Sequence, residues 1–389
     1  MFSSRTDWNL TPNALHQLLE EKHKKGERII DLTESNPTRC GFSYHPELLQ
    51  ALSSERSLLY EPNPRGLLTA RKGIAGYYQR QGVLVDPSYI FLTASTSDAY
   101  AHLFRLLCNP GDNVLVPKPS YPLFDYLCRL NDVEVRYYRL QYEDEWQIDL
   151  DSIKGAIDPS TRAILLVHPN NPTGSFVKST ENKTIMEIVQ RHSLALIVDE
   201  VFGEFSFEDV NGGCESFAAQ NHSLVFTLNG ISKLLGLPQM KLAWITVSGE
   251  PGLVHVAVNR LEIICDTYLS TGTPIQHALT QLLDDGRCVT DQIRKRVRTN
   301  YHSLHSMTAG SPVSLLDASG GWNAILRFPN ILSDEDWALK TLKECNVLVH
   351  PGHFFEIELR ACIVASLLPE ESTFSDGISR LLEYVRSIS

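Results

Sequence analysis

Short apolar segments recur through the middle of the chain, and they constrain its fold more than any other feature. They cover residues 114–116, 133–138, 163–167, 194–198, 224–228 and 242–247. Runs that are apolar throughout, without a polar residue at every second position, are typical of strands buried on both faces of a sheet. Helical stretches between the segments would supply the crossovers that parallel strands require. The sequence therefore predicts an α/β fold with a large, mostly parallel sheet flanked by helices.

The pattern changes near residue 286. A long basic helix is predicted over 287–307, followed by a strand at 322–328, a helix near 334–345, strands near 347–350 and 362–366, and a last helix near 375–388. This order of elements indicates an α+β unit. We predict a large domain over 46–285 and a smaller α+β domain formed by 286–389 together with 1–45.

Composition narrows the class of protein. Of the 389 residues, 43% are hydrophobic and 21% are charged, which is ordinary for a soluble globular protein. The net charge of -11 argues against a general nucleic-acid surface and against binding to anionic membranes. No signal peptide is visible, and no run approaches the ~18 consecutive apolar residues of a membrane span. Eight scattered cysteines without a CxxC pair predict reduced thiols in a cytoplasmic enzyme, with neither a metal site nor a disulfide framework.

One lysine stands in a loop containing Gly and Pro, between two of the apolar segments. Ser232 and Lys233 follow segment 224–228, and Lys241 lies at the start of the next predicted strand. A lysine becomes nucleophilic when partial desolvation lowers its pKa, and the carboxyl end of a buried strand provides that setting. Most lysines are solvated surface charges, but this position argues for a functional role.

Polar residues also follow two neighbouring segments. Asp199 comes directly after 194–198, and a loop that runs from His168 to Gly174 and includes Asn171 follows 163–167. Ligands of open α/β sheets bind outside the carboxyl ends of the strands. The acid could instead cap a helix, and the loop alone would indicate only a turn. Their shared position at strand ends favours a ligand site.

The motifs HPNNPTG, DEVFGEF and SKLLGLPQMK, in this order and at these separations, resemble those of class I/II aminotransferases, which are pyridoxal 5'-phosphate (PLP) enzymes of fold type I and include aspartate aminotransferases. The similarity extends from the segment at 32–37 into the C-terminal domain. It implies that Lys233 forms a Schiff base with PLP and later shuttles a proton. It also implies that Asp199 pairs with the pyridine N–H and keeps the ring an electron sink.

The resemblance assigns further contacts to the cofactor. Asn171 matches the side chain that donates to the phenolic oxygen, and Tyr121 matches the aromatic residue that stacks on the pyridine ring. Ser95, Thr96 and Ser97 precede a predicted helix over 98–108, where amides and hydroxyls can hold a phosphate.

Two more matches concern the phosphate and the assembly. Lys241 stands where the family usually has an arginine, and lysine keeps the charge without the two-pronged geometry. Ser232 precedes the reactive lysine in the same cofactor-binding motif. Tyr60 matches a tyrosine that reaches the phosphate of the neighbouring subunit, which implies a homodimer.

The chain departs from the family at several positions. Phe202 stands where a tyrosine commonly donates to the phenolic oxygen, so the imine pKa should be raised. Ser35 replaces a glycine beside the substrate carboxylate and narrows that space. Trp322 is expected to line the substrate side, although core packing is the alternative. Position 97 is not the lysine that can bind a side-chain carboxylate, so a dicarboxylate preference is not supported.

The arginine that binds the substrate α-carboxylate in this family has two possible alignments. The first places Arg360 in that role and Cys362 at the following serine position. The second aligns Ser366 with the serine and puts Val364 at the arginine position, which leaves the arginine absent. We favour Arg360, with a solvated loop charge as its alternative.

Two functions follow from the resemblance. The first is a PLP-dependent aminotransferase that moves an amino group between an L-amino acid and a 2-oxo acid. The second is a lyase, cyclase or oxidase of the same fold that acts on an amino acid in a biosynthetic pathway. Departures at the carboxylate site and near the phenolic oxygen are typical of the second group. The sequence names neither substrate.

Overall fold

The computed structural model describes residues 1–208, 216–269 and 271–388. Within these residues an eight-stranded sheet forms the centre. In spatial order its strands are β2 (Ile90–Thr93), β9 (Ala243–Ser248), β8 (Val225–Gly230), β7 (Ala195–Asp199), β6 (Thr161–Val167), β3 (Asn113–Lys118), β4 (Glu134–Glu143) and β5 (Glu145–Ile148). Neighbours from β8 to β4 are parallel, whereas β9 is antiparallel to both its neighbours and β5 is antiparallel to β4. All six apolar segments lie in this sheet, which confirms the predicted α/β class.

Successive residues of the central strands enter two different cores. Leu165 and Ile197 pack toward α4 (Thr96–Leu107) and α9 (Pro251–Tyr268). Their chain neighbours Leu166 and Val198 pack on the other face, toward α6 (Leu150–Ala156) and α7 (Ser179–His192). Because both faces are covered, these strands carry no alternation of polar and apolar residues.

A smaller antiparallel sheet lies in the C-terminal part of the described chain. Its order is β10 (Ser314–Leu315), β11 (Asn323–Arg327), β14 (Cys362–Ser366) and β13 (His350–Pro351). Beside it, β1 (Ile30–Asp31) pairs in parallel with β12 (Val347–Leu348). One hydrophobic core joins Leu15 and Leu32 to Val297 and Leu381, so N-terminal and C-terminal segments pack together. The sheet confirms a second, smaller α+β unit, while the boundaries at 45/46 and 285/286 stay predictions.

The remaining helices are α1 (Ala14–Lys24), α2 (Glu47–Gln50), α3 (Leu68–Arg80), α5 (Phe124–Leu130), α8 (Ile231–Leu234), α10 (Thr273–Asp285), α11 (Arg287–Thr308), α12 (Asp334–Cys345) and α13 (Glu371–Ile388). Helix α12 and strand β14 have the predicted bounds. Helix α13 begins four residues before the predicted 375, directly after the Pro369-Glu370 turn.

The described ranges contain no helix that is both long and apolar enough to cross a membrane. The cysteines within them are free thiols, and Cys214 lies outside the described residues. The same ranges contain no group of three His, Cys, Asp or Glu side chains placed to hold a metal ion.

Candidate active site

The carboxyl ends of β7 and β8 bring a lysine and a carboxylate together. Asp199 is the last residue of β7, and α8, which carries Lys233, begins directly after β8 ends at Gly230. A Cβ atom at Gly230 would lie 2.8 Å from the Cβ of Ala243, so glycine lets β8 and β9 approach closely here. The lysine is thereby held at the edge of the buried sheet.

Asp199 is buried and hydrogen-bonded at both oxygens. Its Oδ1 accepts from the Val201 N–H at 3.1 Å, and its Oδ2 accepts from the Tyr100 hydroxyl at 3.1 Å. Burial raises the pKa of Asp199 to about 6, although both hydrogen bonds and the Lys233 charge act to lower it. The carboxylate can therefore pair with a cationic N–H, which would stabilise its charged form.

Lys233 is enclosed by aromatic rings. Its Nζ lies 5.0 Å from the ring centroid of Trp322 and 5.9 Å from that of Phe202, and the two rings meet edge to face. Burial lowers the pKa of Lys233, and the nearby Asp199 carboxylate opposes that shift. A lysine whose neutral form is favoured in this way can act as a nucleophile and as a proton carrier.

The loop after β6 meets the smaller sheet at the same place. Asn171 Oδ1 accepts a hydrogen bond of 2.7 Å from Nδ2 of Asn323, the residue that follows Trp322. Gly174 in this loop has a φ of +69°, and a Cβ there would lie 2.4 Å from the carbonyl oxygen of Gly320. Only glycine allows this approach, which holds the Asn171 loop against the segment that carries Trp322.

Helix α4 points its N-terminus toward this group of residues. Ser95 is the N-cap, and its Oγ accepts from the Asp98 N–H at 3.1 Å, while Thr96 and Ser97 form the first turn. Tyr100, about one helical turn further along α4, contacts Asp199. Because the first amides of a helix have no acceptor within it, this end can bind an anion beside the lysine and carboxylate.

Tyr121 lies at the rim of the same group. Its side chain is half-exposed and meets Phe124 edge-on at 6.3 Å, and Phe124 meets Tyr100 at 5.2 Å. Burial raises the pKa of Tyr121, and the Asp199 carboxylate raises it further. Tyr121, the predicted stacking residue, is therefore close enough for the Asp199 charge to affect its hydroxyl electrostatically.

Lys241, Ser232 and Tyr60 have no side-chain hydrogen bond or ion pair among the described residues. Lys241 is exposed at a φ of +53°, Ser232 is partly buried, and Tyr60 is 75% exposed. The single chain thus leaves the predicted roles of Lys241 and Tyr60 at the phosphate as predictions.

Arg360 lies beyond the end of β14 that is remote from Trp322. Strand β14 is antiparallel to β11, with Cys362 opposite Arg327 and Ser366 opposite Asn323. Arg360 precedes the Cys362 end and is exposed, so it lies about 15–20 Å along the sheet from Trp322, at ~3.3 Å per residue. The position of Arg360 gives no support to its predicted role at the substrate α-carboxylate, which stays a prediction, because the strand runs away from Trp322 at that end.

The Ser366 end of β14 meets the segment predicted to border the substrate carboxylate. The Ser366 hydroxyl donates to the carbonyl oxygen of Glu34 at 2.7 Å, next to the exposed Ser35. Val364, the alternative position for the family's arginine, is fully buried opposite Ile325.

Tyr100 and Asn323 were missed from the sequence. Both touch predicted site residues, Asp199 and Asn171 respectively. The available signals were the position of Tyr100 one turn into the helix that starts at the phosphate motif, and the place of Asn323 beside Trp322.

This fold, with a lysine and a carboxylate at adjacent strand ends, defines an enzyme of PLP fold type I. The family model for aminotransferase class I and II matches residues 27–373, and the chain belongs to that family. Glutamate-pyruvate aminotransferase AlaA of Escherichia coli is 28% identical over 349 residues, covering 85% of this chain and 84% of the relative. S-alkyl-thiohydroximate lyase SUR1 of Arabidopsis thaliana is 30% identical over 240 residues, covering 61% and 52%.

A solved structure has the same fold. Alanine aminotransferase from Pyrococcus furiosus superposes with a TM-score of 0.88 at 23% identity, covering 100% of both chains. These findings confirm the predicted family and fold type. They also confirm the predicted function of a transferase that moves an amino group between an amino acid and a 2-oxo acid.

Proposed function

We propose that the protein uses PLP, held at the carboxyl ends of β6, β7 and β8. One observation carries the proposal: Lys233, with a pKa lowered by burial, faces Asp199, whose pKa burial raises. The residues present fit the cofactor, since a nucleophilic lysine suits its aldehyde and a buried carboxylate suits its ring N–H. Asn171 suits the phenolic oxygen, and the N-terminus of α4 suits the phosphate.

When bound, PLP supplies an electron sink that lets the amino group leave one substrate and join the next. In this proposal Lys233 Nζ takes the proton from the amino-bearing carbon of the first substrate, and in the second half of the reaction it gives a proton to the corresponding carbon of the 2-oxo acid. Asp199 keeps a proton on the ring nitrogen. The buried rings of Phe202 and Trp322 exclude water around the amine.

The finer assignments belong to the same proposal. Tyr121 stacks on the ring, residues 95–97 (Ser95, Thr96 and Ser97) and Ser232 hold the phosphate side, and Lys241 adds a positive charge there. The strong exposure of Tyr60 supports a role at the site of a second subunit in a homodimer. The scattered free thiols support a cytoplasmic location.

A lyase, cyclase or oxidase reaction is the second candidate. It is favoured by the phenyl ring of Phe202 beside Lys233, which lacks a hydroxyl, and by Val364 on β14 where the family's arginine is expected. The name of the Arabidopsis relative, a lyase, supports the same alternative. In either reaction the α-carboxylate of the substrate would lie near Ser35 and the end of β14.

The cofactor assignment is tested by borohydride reduction of the purified enzyme and peptide mapping. We expect the reduced cofactor on Lys233, no label in Lys233→Ala, and unchanged labelling of Lys233 in Lys154→Ala, which removes an exposed lysine paired with Asp151. Label on another lysine contradicts the proposal.

The reaction type is tested by adding single amino acids without a 2-oxo acid. Amino transfer changes the cofactor absorbance once per site and then stops. Continued turnover with release of ammonia would instead establish the second candidate.

A further inference from the structure

A cavity of about 200 Å³ adjoins Tyr121 on the rim of the candidate site. Five aromatic side chains line it, from Tyr121, Phe124, Tyr126, Tyr137 and Phe354. Two carboxylates, Asp125 and Glu356, line it as well. We call this space the Tyr121 pocket. Aromatic faces together with carboxylates attract cations, since ring quadrupoles and negative charge act in the same direction.

One cation of the protein, the ammonium of Lys118, already lies near carboxylates and an aromatic ring of this region. Lys118 Nζ lies 3.3 Å from carboxylate oxygens of both Glu356 and Glu358, and 5.7 Å from the ring centroid of Tyr137. The single Lys118 ammonium does not neutralise the pocket, because two carboxylates, Asp125 and Glu356, line it. The pocket therefore keeps an excess of negative charge.

Two polar groups in the wall, the Asp125 carboxylate and the Ser120 hydroxyl, can form further hydrogen bonds with a ligand. The Tyr137 hydroxyl lies 2.7 and 2.8 Å from the two oxygens of Asp125, but a phenol has only one proton to donate. The carboxylate can therefore accept further hydrogen bonds, as from a two-pronged guanidinium. Ser120 is 5% exposed, and its Oγ has no hydrogen-bond partner among the described residues, which is unusual for a buried hydroxyl.

The pocket shares a wall with the reacting centre. Tyr121 lines it, and Phe124, also in its wall, contacts Tyr100, which donates to Asp199. The Phe355 carbonyl accepts from the Ser120 N–H at 3.1 Å, and its neighbours Phe354 and Glu356 line the pocket, so the segment between β13 and β14 forms part of the wall. A group bound here would lie one aromatic ring away from the proposed cofactor.

We propose that the Tyr121 pocket binds the positive end of the substrate side chain, so that the amino donor is a basic amino acid with a long side chain. The inference rests on the proposed function, because the reacting amino group must lie at Lys233 while the cation passes Tyr121. A dicarboxylic amino acid would be repelled by the excess negative charge.

The test compares L-arginine with L-citrulline, which has nearly the same shape but a neutral end, in single-turnover reactions of the PLP-loaded enzyme. We expect arginine to react at least about tenfold more efficiently, as a hydrogen bond to a charged group is worth at least that factor. Asp125→Asn and Glu356→Gln should each reduce the arginine reaction several-fold and leave the citrulline reaction unchanged.

Glu358→Gln is the matched control. Glu358 contacts Lys118 at the same distance as Glu356 does but does not line the pocket, so the preference for arginine should persist. Binding of both amino acids is also measured by calorimetry, which does not depend on turnover. Equal binding and equal reaction of arginine and citrulline overturn the pocket assignment, and so does an equal loss in Glu358→Gln. Failure of the proposed function would appear separately, as missing cofactor label on Lys233.

Discussion

Asp199→Asn should stabilise the cofactor-free protein. Burial raises the pKa of Asp199 from its usual 3.8 to about 6 in the folded chain. At about 1.36 kcal/mol per unit, a shift of roughly two units corresponds to about 3 kcal/mol. Because the folded state holds this proton more tightly than the unfolded state, stability falls as pH rises from about 4 to about 6. Above that window the ionised carboxylate weakens the folded chain by up to this amount.

Asparagine removes the titrating charge and keeps a similar shape. Its oxygen can still accept from either the Val201 N–H or the Tyr100 hydroxyl. We therefore expect the free energy of unfolding to rise by up to about 3 kcal/mol at neutral pH, with little difference near pH 4. The same substitution should weaken cofactor binding, because asparagine lacks the negative charge that pairs with the ring N–H. Such an opposition between stability and function is common at functional sites.

The assay is urea unfolding of cofactor-free wild type and Asp199→Asn at several values from about pH 4 to about pH 8. Asp112→Asn is a control of opposite sign, because the Asn109 N–H and Arg162 lower the pKa of Asp112. That variant should lose stability at neutral pH and lose less as pH falls. A pH-independent difference for Asp199→Asn, or destabilisation at neutral pH, would refute the reasoning.

Further substitutions separate the remaining contacts. Tyr100→Phe removes a donor to a charged acceptor and should raise the pKa of Asp199 by about one unit, read by carboxyl carbon NMR of the cofactor-free protein; an unchanged titration would contradict it. Gly174→Ala should destabilise more than Gly310→Ala in urea, since both have positive φ but only the former Cβ meets a carbonyl oxygen; equal losses would count against this. Arg360→Ala should change half-reaction rates by less than about twofold, and a tenfold loss would restore Arg360 as a carboxylate ligand.

The central sheet was predictable because its strands are buried on both faces. Apolar runs such as 163–167 carry a strong signal that needs no knowledge of the partners. Two strands of the same sheet escaped prediction, β2 and β5, each only four residues long. Strand β5 lies at the edge and alternates with exposed residues, and it forms through pairing with β4.

The site was predictable where a side chain follows a predicted strand directly. Asp199 satisfies that condition, and Lys233 and Asn171 lie in the loops that follow their predicted strands, because neighbouring parallel strands end at the same edge of the sheet. The contact of Tyr100 with Asp199 depends on the rotation of α4 about its axis. The contact of Asn323 with Asn171 depends on how the smaller sheet packs against the loop after β6. Neither property can be read from local sequence periodicity.

The register of β14 explains the position of Arg360 relative to Trp322. Side chains of the strand alternate, and Cys362 and Val364 face the large sheet in one core with Ile325 and Leu166. A shift of one residue would turn these side chains to the opposite face, so burial fixes the register. At the end near Trp322, β14 offers only the hydroxyl of Ser366.

Strand β14 therefore supplies no cation to the site among its described residues. A substrate bound mainly by its α-carboxylate would lack the charge partner that such a group requires when it is desolvated. The Tyr121 pocket on the rim of the site is instead lined by the carboxylates of Asp125 and Glu356. The charge pattern of the chain thus favours recognition through a positive side chain, with the α-carboxylate near the solvent-exposed Ser35.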